Sequence, residues 1–517
     1  MGQVDKVGKS WKTTCKSWLT PEALAMLFLG FSAGVPILLI FSTLSVWLRE
    51  AGVSRAAVTF FSWAALGYSF KFIWAPIVDM LPLPLLTRIL GRRRSWLLVA
   101  QLLVICSIVW MASVDPSLGQ QQLTYMAFAA VMLGFASATQ DIVIDAYRIE
   151  SAVESLQALL ASMYIAGYRV GMLVAGAGSL FIADYLGTKS AAYSYGAWRM
   201  TYFCMALVML AGVATTLFIG EPSRGKQAQN YAYKATEYLR FLSLFILAAF
   251  AFALNFFYTG PLLAKIVGLF SQNFADIGKI GSFLLQILRF FLSLGLAAIV
   301  GYTAVRAGLV QREMASRSYL DPIKDFFVRY GGKAAVLLLL LIGFYRLSDI
   351  VLGVVSNVFY LDMGFSKKAI AGVTKSFGLA MTLVGGFLGG VLTIRYGVNK
   401  ILFLGAFLSS ATNILFMMLA NIGPSIPFLT VVIGADNLSA GIATTAFVAF
   451  LSSLTNVSFT AVQYAIFSSI MTLFPKLIGG YSGTMVSSFG YETFFLLTAL
   501  MGIPVLFLVV GAKRSLE

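Results

Sequence analysis

Residues 123–148 read LTYMAFAAVMLGFASATQDIVIDAYR. Crossing a hydrocarbon core takes about 20 mostly apolar residues in a helix, and the run from Leu123 to Ala146 meets that length. Two carboxylates nevertheless stand inside it. Asp141 and Asp145 are four residues apart, so both project from one helix face. An ionisable group within a span costs roughly 2.5–3.5 kcal/mol on insertion scales and marks a functional position by default. A membrane helix with an acidic face is therefore the unit from which the rest of the chain is read.

The composition agrees. Of 517 residues, 59% are hydrophobic and 11% charged, against about a quarter charged in soluble domains, which excludes a water-facing enzyme. Disorder, a collagenous repeat and a disulfide-stapled secreted scaffold fall with it. Cys15, Cys106 and Cys204 have no metal-ligand or pairing spacing. The chain has no histidine, so proton chemistry must run through Asp, Glu, Lys, Tyr or water. No metal and no cofactor are expected. The net charge of +16 reads as topological, from Lys and Arg gathered on inner loops, rather than as a nucleic-acid surface.

Further apolar runs lie at roughly 21–48, 57–80, 95–114, 157–183 and 199–219, completing a first set of six. A second set lies at about 334–361, 369–393, 398–420, 428–451, 460–484 and 491–512. Two more runs, about 238–258 and 282–305, stand between the sets. With both termini inside, roughly three times as many Lys and Arg fall on inner as on outer segments. The expected organisation is a cytoplasmic segment 1–20, a six-helix bundle 21–222, a linker 223–333 with two additional spans, and a second six-helix bundle 334–517. Within the linker, Leu262–Phe270 reads as a short interfacial helix. The fold class expected is an all-α polytopic membrane protein of major facilitator type with 14 spans, since paired halves around a central site are the architecture of many secondary carriers. Small residues at four-residue spacing, Gly30 and Gly34 before Pro36 and Gly385-Gly386 with Gly389-Gly390, suit close helix packing.

Charged residues recur at matching depths. Arg169 lies near mid-span in Gly167-Tyr168-Arg169-Val-Gly171 and cannot lose its charge, so it must meet a carboxylate, water or an anionic substrate. Arg346 and Asp349 share a face, and Asp436-Asn437 sit inside the tenth span of the twelve. Lys71, Lys375 and Lys476 complete the set. Asp141, Asp145, Asp349 and Asp436 are the candidate proton-coupling groups. Arg169, Arg346, Lys375, Lys71, Tyr168, Tyr345, Gln140 and Asn437 are the candidate substrate-binding groups. Asp79 at the end of the second span and Arg92, Arg93 and Arg94 after Gly91 form a candidate cytoplasmic gate; positive-inside anchoring explains the arginines but not the aspartate.

Together, these motifs resemble the AmpG family of muropeptide permeases within the major facilitator superfamily. The matching segments include Leu29–Pro36, Phe70–Pro76, Gly91–Trp96, Ala138–Ala146, Gly167–Leu173, Gly220-Glu221-Pro222, Tyr345–Asp349, Thr444–Ala449 and Phe459–Tyr464, in order through both halves. The resemblance implies an importer in a bacterial inner membrane, driven by protons. Its substrate would be N-acetylglucosaminyl-1,6-anhydro-N-acetylmuramyl sugars with or without peptide, for cell-wall recycling. Some members of that family carry two extra helices after the twelfth, whereas this chain inserts its pair between the halves. Acetyl-CoA transporters are related, and acetyl-CoA or small peptides are the alternative anionic solutes. The partners expected are that anionic sugar-peptide, protons and the bilayer, with no nucleic acid, and a monomer as the working unit. A membrane-embedded transferase would need a nucleophile–base arrangement that the long polar stretch 306–333 lacks.

Overall fold

In the computed structural model, the structure describes residues 19–54, 61, 66–153, 156–188, 193–222, 234–273, 278–366, 369–479 and 481–516. Thirteen helices among them are long and apolar enough to cross a membrane. They are labelled with the broken second span in chain order: α1 Pro21–Glu50, α2 (see below), α3 Arg92–Ala112, α4 Gln120–Ser151, α5 Gln157–Tyr185 and α6 Tyr195–Phe218. The inserted pair is α7 Ala235–Asn273 and α8 Gly278–Arg306. The second set is α9 Gly332–Asp362, α10 Gly372–Tyr396, α11 Val398–Ile422, α12 Ile426–Leu454, α13 Val457–Lys476 and α14 Met485–Leu516. Helix is the only regular structure among the described residues, and the chain is a multi-pass membrane protein.

The second expected span, α2, is short pieces: a helix Leu66–Phe70, a 3-10 turn Lys71–Ile73 and a helix Ala75–Met80. Its first part, residues 55–60 and 62–65, lies outside the described residues. Pro76 occupies the opening turn of the last piece, where its missing N–H costs nothing but the preceding turn cannot continue regularly. The resulting kink seats Lys71 inward, with only 5% of its surface exposed.

By contact, the chain divides into two compact units, Met1–Ala228 with Phe326–Glu517, and Gln229–Asp325. The second unit is the hairpin of α7 and α8. No separate interfacial helix forms at Leu262–Phe270: α7 runs unbroken through Pro261 to Asn273. Arg289 of α8 donates from Nε to the Phe256 carbonyl at 3.0 Å and lies over the Phe256 ring, supporting α7 near the proline, where a lone helix would break.

Small residues bring α5 against α1 in the first unit. A Cβ on Gly30 or Gly34 would run into the carbonyl oxygen of Tyr164 or Tyr168, and one on Gly167 or Gly171 into that of Leu27 or Phe31. The backbones touch on both sides of the seam, so the turn bearing Tyr168 and Arg169 has one permitted seat. Gly385 and Gly441 bring α10 and α12 together in the same way. Overpacking a well-packed core costs about 1–3 kcal/mol even when side chains can move, and here carbonyls would have to. Gly167→Val is therefore expected to lower the thermal midpoint of the purified protein markedly, while Gly353→Val, within α9 with open space around it, is expected to lower it less. Equal midpoints for the two variants would show that the seam does not hold α5.

Candidate functional site

Three clusters of polar groups lie inside the first unit. At the arginine-rich end, Arg93 is 1% exposed and donates from Nη2 to Asp79 Oδ1 at 2.7 Å and to Glu150 Oε1 at 2.5 Å. Its Nε reaches both oxygens of Glu150. Arg92 donates to the Asp79 backbone carbonyl and stands 3.7 Å from Glu150. Asp79 Oδ2 in turn accepts from the backbone N–H of Val462 at 3.1 Å, across to α13. Arg94 does not join this cluster. Its guanidinium donates to the carbonyls of Thr216 and Leu217 at the end of α6, where a cation complements the helix dipole. Glu221 binds the backbone N–H groups of Arg93 and Arg94 and so caps the start of α3.

One turn deeper, Lys71 Nζ lies 3.3 Å from Asp145 Oδ2, and Arg148 Nη2 lies 3.4 Å from Asp145 Oδ1. Asp145 is thus held by two cations. Arg148 also donates to Ser452 Oγ of α12 at 2.7 Å and lies 5.1 Å over the Tyr464 ring of α13. These bonds, with the Asp79–Val462 contact, fasten the first helix set to the second at this end.

Asp141 differs from Asp145. It is 8% exposed, makes no ion pair among the described residues, and its Oδ1 is buried with no hydrogen-bond donor. Lys71, Asp145 and Tyr164 of α5 are the neighbours whose charge or hydroxyl it senses. Tyr68 and Tyr168 face it as well. A buried carboxylate oxygen without a donor is costly when ionised. Gln140 is fully buried and accepts from Ser32 Oγ at 3.5 Å, while its Nε2 is left without a partner.

The third cluster lies in the second helix set, with Arg169 of the first set near enough to sense its charge. Arg169 has no carboxylate partner among the described residues; the groups it senses are its neighbour Tyr168 and Arg346 of α9. Arg346 donates to Thr444 Oγ1 of α12 at 3.1 Å and reaches Asp349 only at 3.9 Å. Asp349 accepts instead from Ser409 of α11, and Asp436 accepts from Thr412, also of α11, at 3.4 Å. Asp349 and Asp436 are close enough to sense each other's charge. Two guanidinium groups from opposite helix sets therefore sense each other's charge, and an acidic pair accompanies Arg346.

Several candidate positions sit elsewhere. Tyr345 is core: its ring stacks on Phe447 at 4.2 Å and its hydroxyl donates to the Leu402 carbonyl. Asn437 is held within the second set, accepting from Thr382 Oγ1 and donating to the Ile433 carbonyl. The Lys375 side chain lies outside the described residues; its backbone is in the π-helical stretch Ile370–Phe377. Glu150 and Tyr464 are central here and were not singled out from sequence. The signal at Glu150 was an acidic residue in the last turn of an apolar helix, opposite an arginine run.

Comparison with solved structures finds the same arrangement of helices. The xylose:proton symporter XylE aligns with a TM-score of 0.59 at 13% identity, covering 95% of both chains. The fucose:proton symporter FucP of Escherichia coli aligns at 0.58 and 12%, covering 96% of this chain and 99% of its own. This is a major facilitator fold. Residues 23–185 match the family model described as Acetyl-coenzyme A transporter 1. The chain is also 29% identical to the transporter named AmpG 4 of Rickettsia felis, over 95% of this chain and 96% of that one. To the anhydromuropeptide permease of Escherichia coli K12 it is 28% identical, over 96% and 81%. The resemblance read from the motifs thus extends along nearly the whole chain. The protein is a secondary transporter and not an enzyme.

Proposed function

We propose that this transporter imports anhydromuropeptides from periplasm to cytoplasm, coupled to protons, across a bacterial inner membrane with both termini cytoplasmic. The observation that carries the reading is that Arg169, with no carboxylate partner among the described residues, senses the charge of Arg346 from the opposite helix set, whose own carboxylate, Asp349, stands back at 3.9 Å. Two like charges near each other in a desolvated space call for an anion, and a guanidinium binds carboxylate in bidentate fashion. A sugar-peptide with peptide carboxylates supplies one. The relatives named as AmpG transporters and as anhydromuropeptide permease favour that solute.

In this mechanism the Arg93–Asp79–Glu150 cluster and the Arg148 bonds keep the cytoplasmic side shut while substrate enters. Substrate bridges Arg169 and Arg346. A proton then settles on Asp141, with Asp349 and Asp436 as its counterpart in the second set. Neutralising Asp141 removes one negative charge beside Lys71 and Asp145, loosening the ties that hold Arg148 to α12 and α13. The two halves then rock and release substrate inside as a monomeric unit. Acetyl-CoA is the second reading, favoured by the family match over residues 23–185; its phosphates would suit the same arginines.

Uptake of labelled anhydromuropeptide, acetyl-CoA and small peptides into right-side-out vesicles separates these readings. The muropeptide is expected to accumulate and the others not; accumulation of acetyl-CoA alone would reassign the substrate. Removing a hydrogen-bonded charge partner costs about 2–5 kcal/mol of binding. Arg169→Gln is therefore expected to weaken half-saturation at least thirtyfold, and Arg169→Lys to recover part of it. Unchanged half-saturation in Arg169→Gln would remove this arginine from the substrate path.

A further inference from the structure

We propose that the inserted helix pair carries a binding site for the phosphate of an anionic phospholipid. The site is a cavity of about 550 Å³ formed wholly within the hairpin unit, where α7 begins and α8 ends. Arg240 lines it from the second turn of α7, Arg306 from the last turn of α8, and Arg312 from just beyond. None of the three pairs with a carboxylate among the described residues. Arg306 is held 5.1 Å over the Tyr302 ring, so its guanidinium stays at the cavity wall. The one acidic side chain there, Glu237, is already engaged: its oxygens accept from the Lys234 backbone N–H and from the Gln311 amide. Three open cations around one cavity match a phosphodiester, which guanidinium groups bind in bidentate fashion.

The surroundings select a lipid over a free anion. Only 12% and 17% of the apolar windows of α7 and α8 are buried, against 33–72% for the other spanning helices. Leu239, Ile246, Ile299 and Tyr302, along the helices that lead away from the cavity, are more than half exposed. A headgroup seated among the arginines would therefore lay its acyl chains on surface already facing hydrocarbon. Basic pockets at the ends of membrane helices recognise anionic headgroups for this reason. The inference is independent of which solute the carrier moves.

The test uses the full chain reconstituted in phosphatidylglycerol–phosphatidylethanolamine membranes, extracted and weighed by native mass spectrometry. Each basic residue near an anionic surface counts for about a fivefold preference. The variant R240Q/R306Q/R312Q is expected to lose at least about tenfold of the phosphatidylglycerol that the parent retains. A control losing equal charge elsewhere, R88Q/K513Q/R514Q, is expected to retain it. Arg312→Gln alone, which lies outside both spanning segments, is expected to lose about fivefold and guards against misfolding of the triple variant. Retention in the pocket variants equal to the control would overturn the proposal. So would displacement of the lipid by inorganic phosphate at equal concentration, because the cavity would then be reading free phosphate.

Discussion

Asp141→Asn is expected to abolish accumulation of substrate against its gradient while leaving downhill exchange intact. Asparagine keeps the shape of a protonated aspartic acid but cannot release or take a proton. One proton crossing 100 mV supplies about 2.3 kcal/mol, or roughly fiftyfold accumulation, and all of that factor should vanish. Counterflow in preloaded vesicles should proceed near the parental rate, because the arginines and the ties at the arginine-rich end are untouched. A protonophore should depress uptake by the parent and leave the variant unchanged. Concentrative uptake by Asp141→Asn that still collapses with protonophore would place coupling elsewhere, with the Asp349–Asp436 pair next in line. Asp145→Asn is expected to behave differently. Asp145 is bound to Lys71 and Arg148, so its loss strands cations and should depress both uptake modes.

Arg93→Gln is expected to be the most damaging single change at the arginine-rich end. The guanidinium is the shared partner of Asp79 and Glu150, both buried. Among the described residues, removing it leaves Asp79 without an ion-pair partner and Glu150 with only Arg92, at 3.7 Å. Breaking one partner of a buried ion pair costs about 3–5 kcal/mol. The thermal midpoint of the purified variant should fall sharply, and a cysteine placed at Ser452 should react faster with a water-soluble maleimide. Glu150→Gln alone should be milder, since Arg93 keeps Asp79. The double variant R93Q/E150Q should recover part of the loss, because neutralising one stranded carboxylate removes its desolvation cost. Additive losses in that cycle would mean that Arg93 and Glu150 act independently and that the cluster is not the unit that shuts this end.

Resemblance to AmpG-type permeases and the structure agree on where the charged motifs are, and differ on what each charge does. Asp141 and Asp145 share a helix face by spacing alone, yet one is tied by two cations and the other has a bare oxygen. The difference comes from Lys71, which a proline-linked kink in a different helix turns toward Asp145. In the arginine run 92–94, two residues join Asp79 and Glu150 while the third caps α6. A rotation of about 100° per residue around a helix separates those roles, and spacing could not tell which face met which neighbour. Tyr345 and Asn437 had suitable chemistry for a chamber; they are consumed by core stacking and by a hydrogen bond to Thr382.

By itself the sequence determined the solvent and the architecture. Apolar runs of spanning length, scarcity of charge and small residues at four-residue intervals dictate helices in lipid, because every backbone group must be satisfied within its own helix there. By omitting histidine it also confined any proton chemistry to Asp, Glu, Lys, Tyr or water. Only the tertiary structure decided the pairing. Which buried cation neutralises which carboxylate, and that the charge Arg169 senses is that of Arg346 rather than of Asp141, depend on how helices distant in sequence are rotated against each other. That rotation is set by close-packed contacts such as Gly167 on Leu27, and one-dimensional spacing contains no information about it.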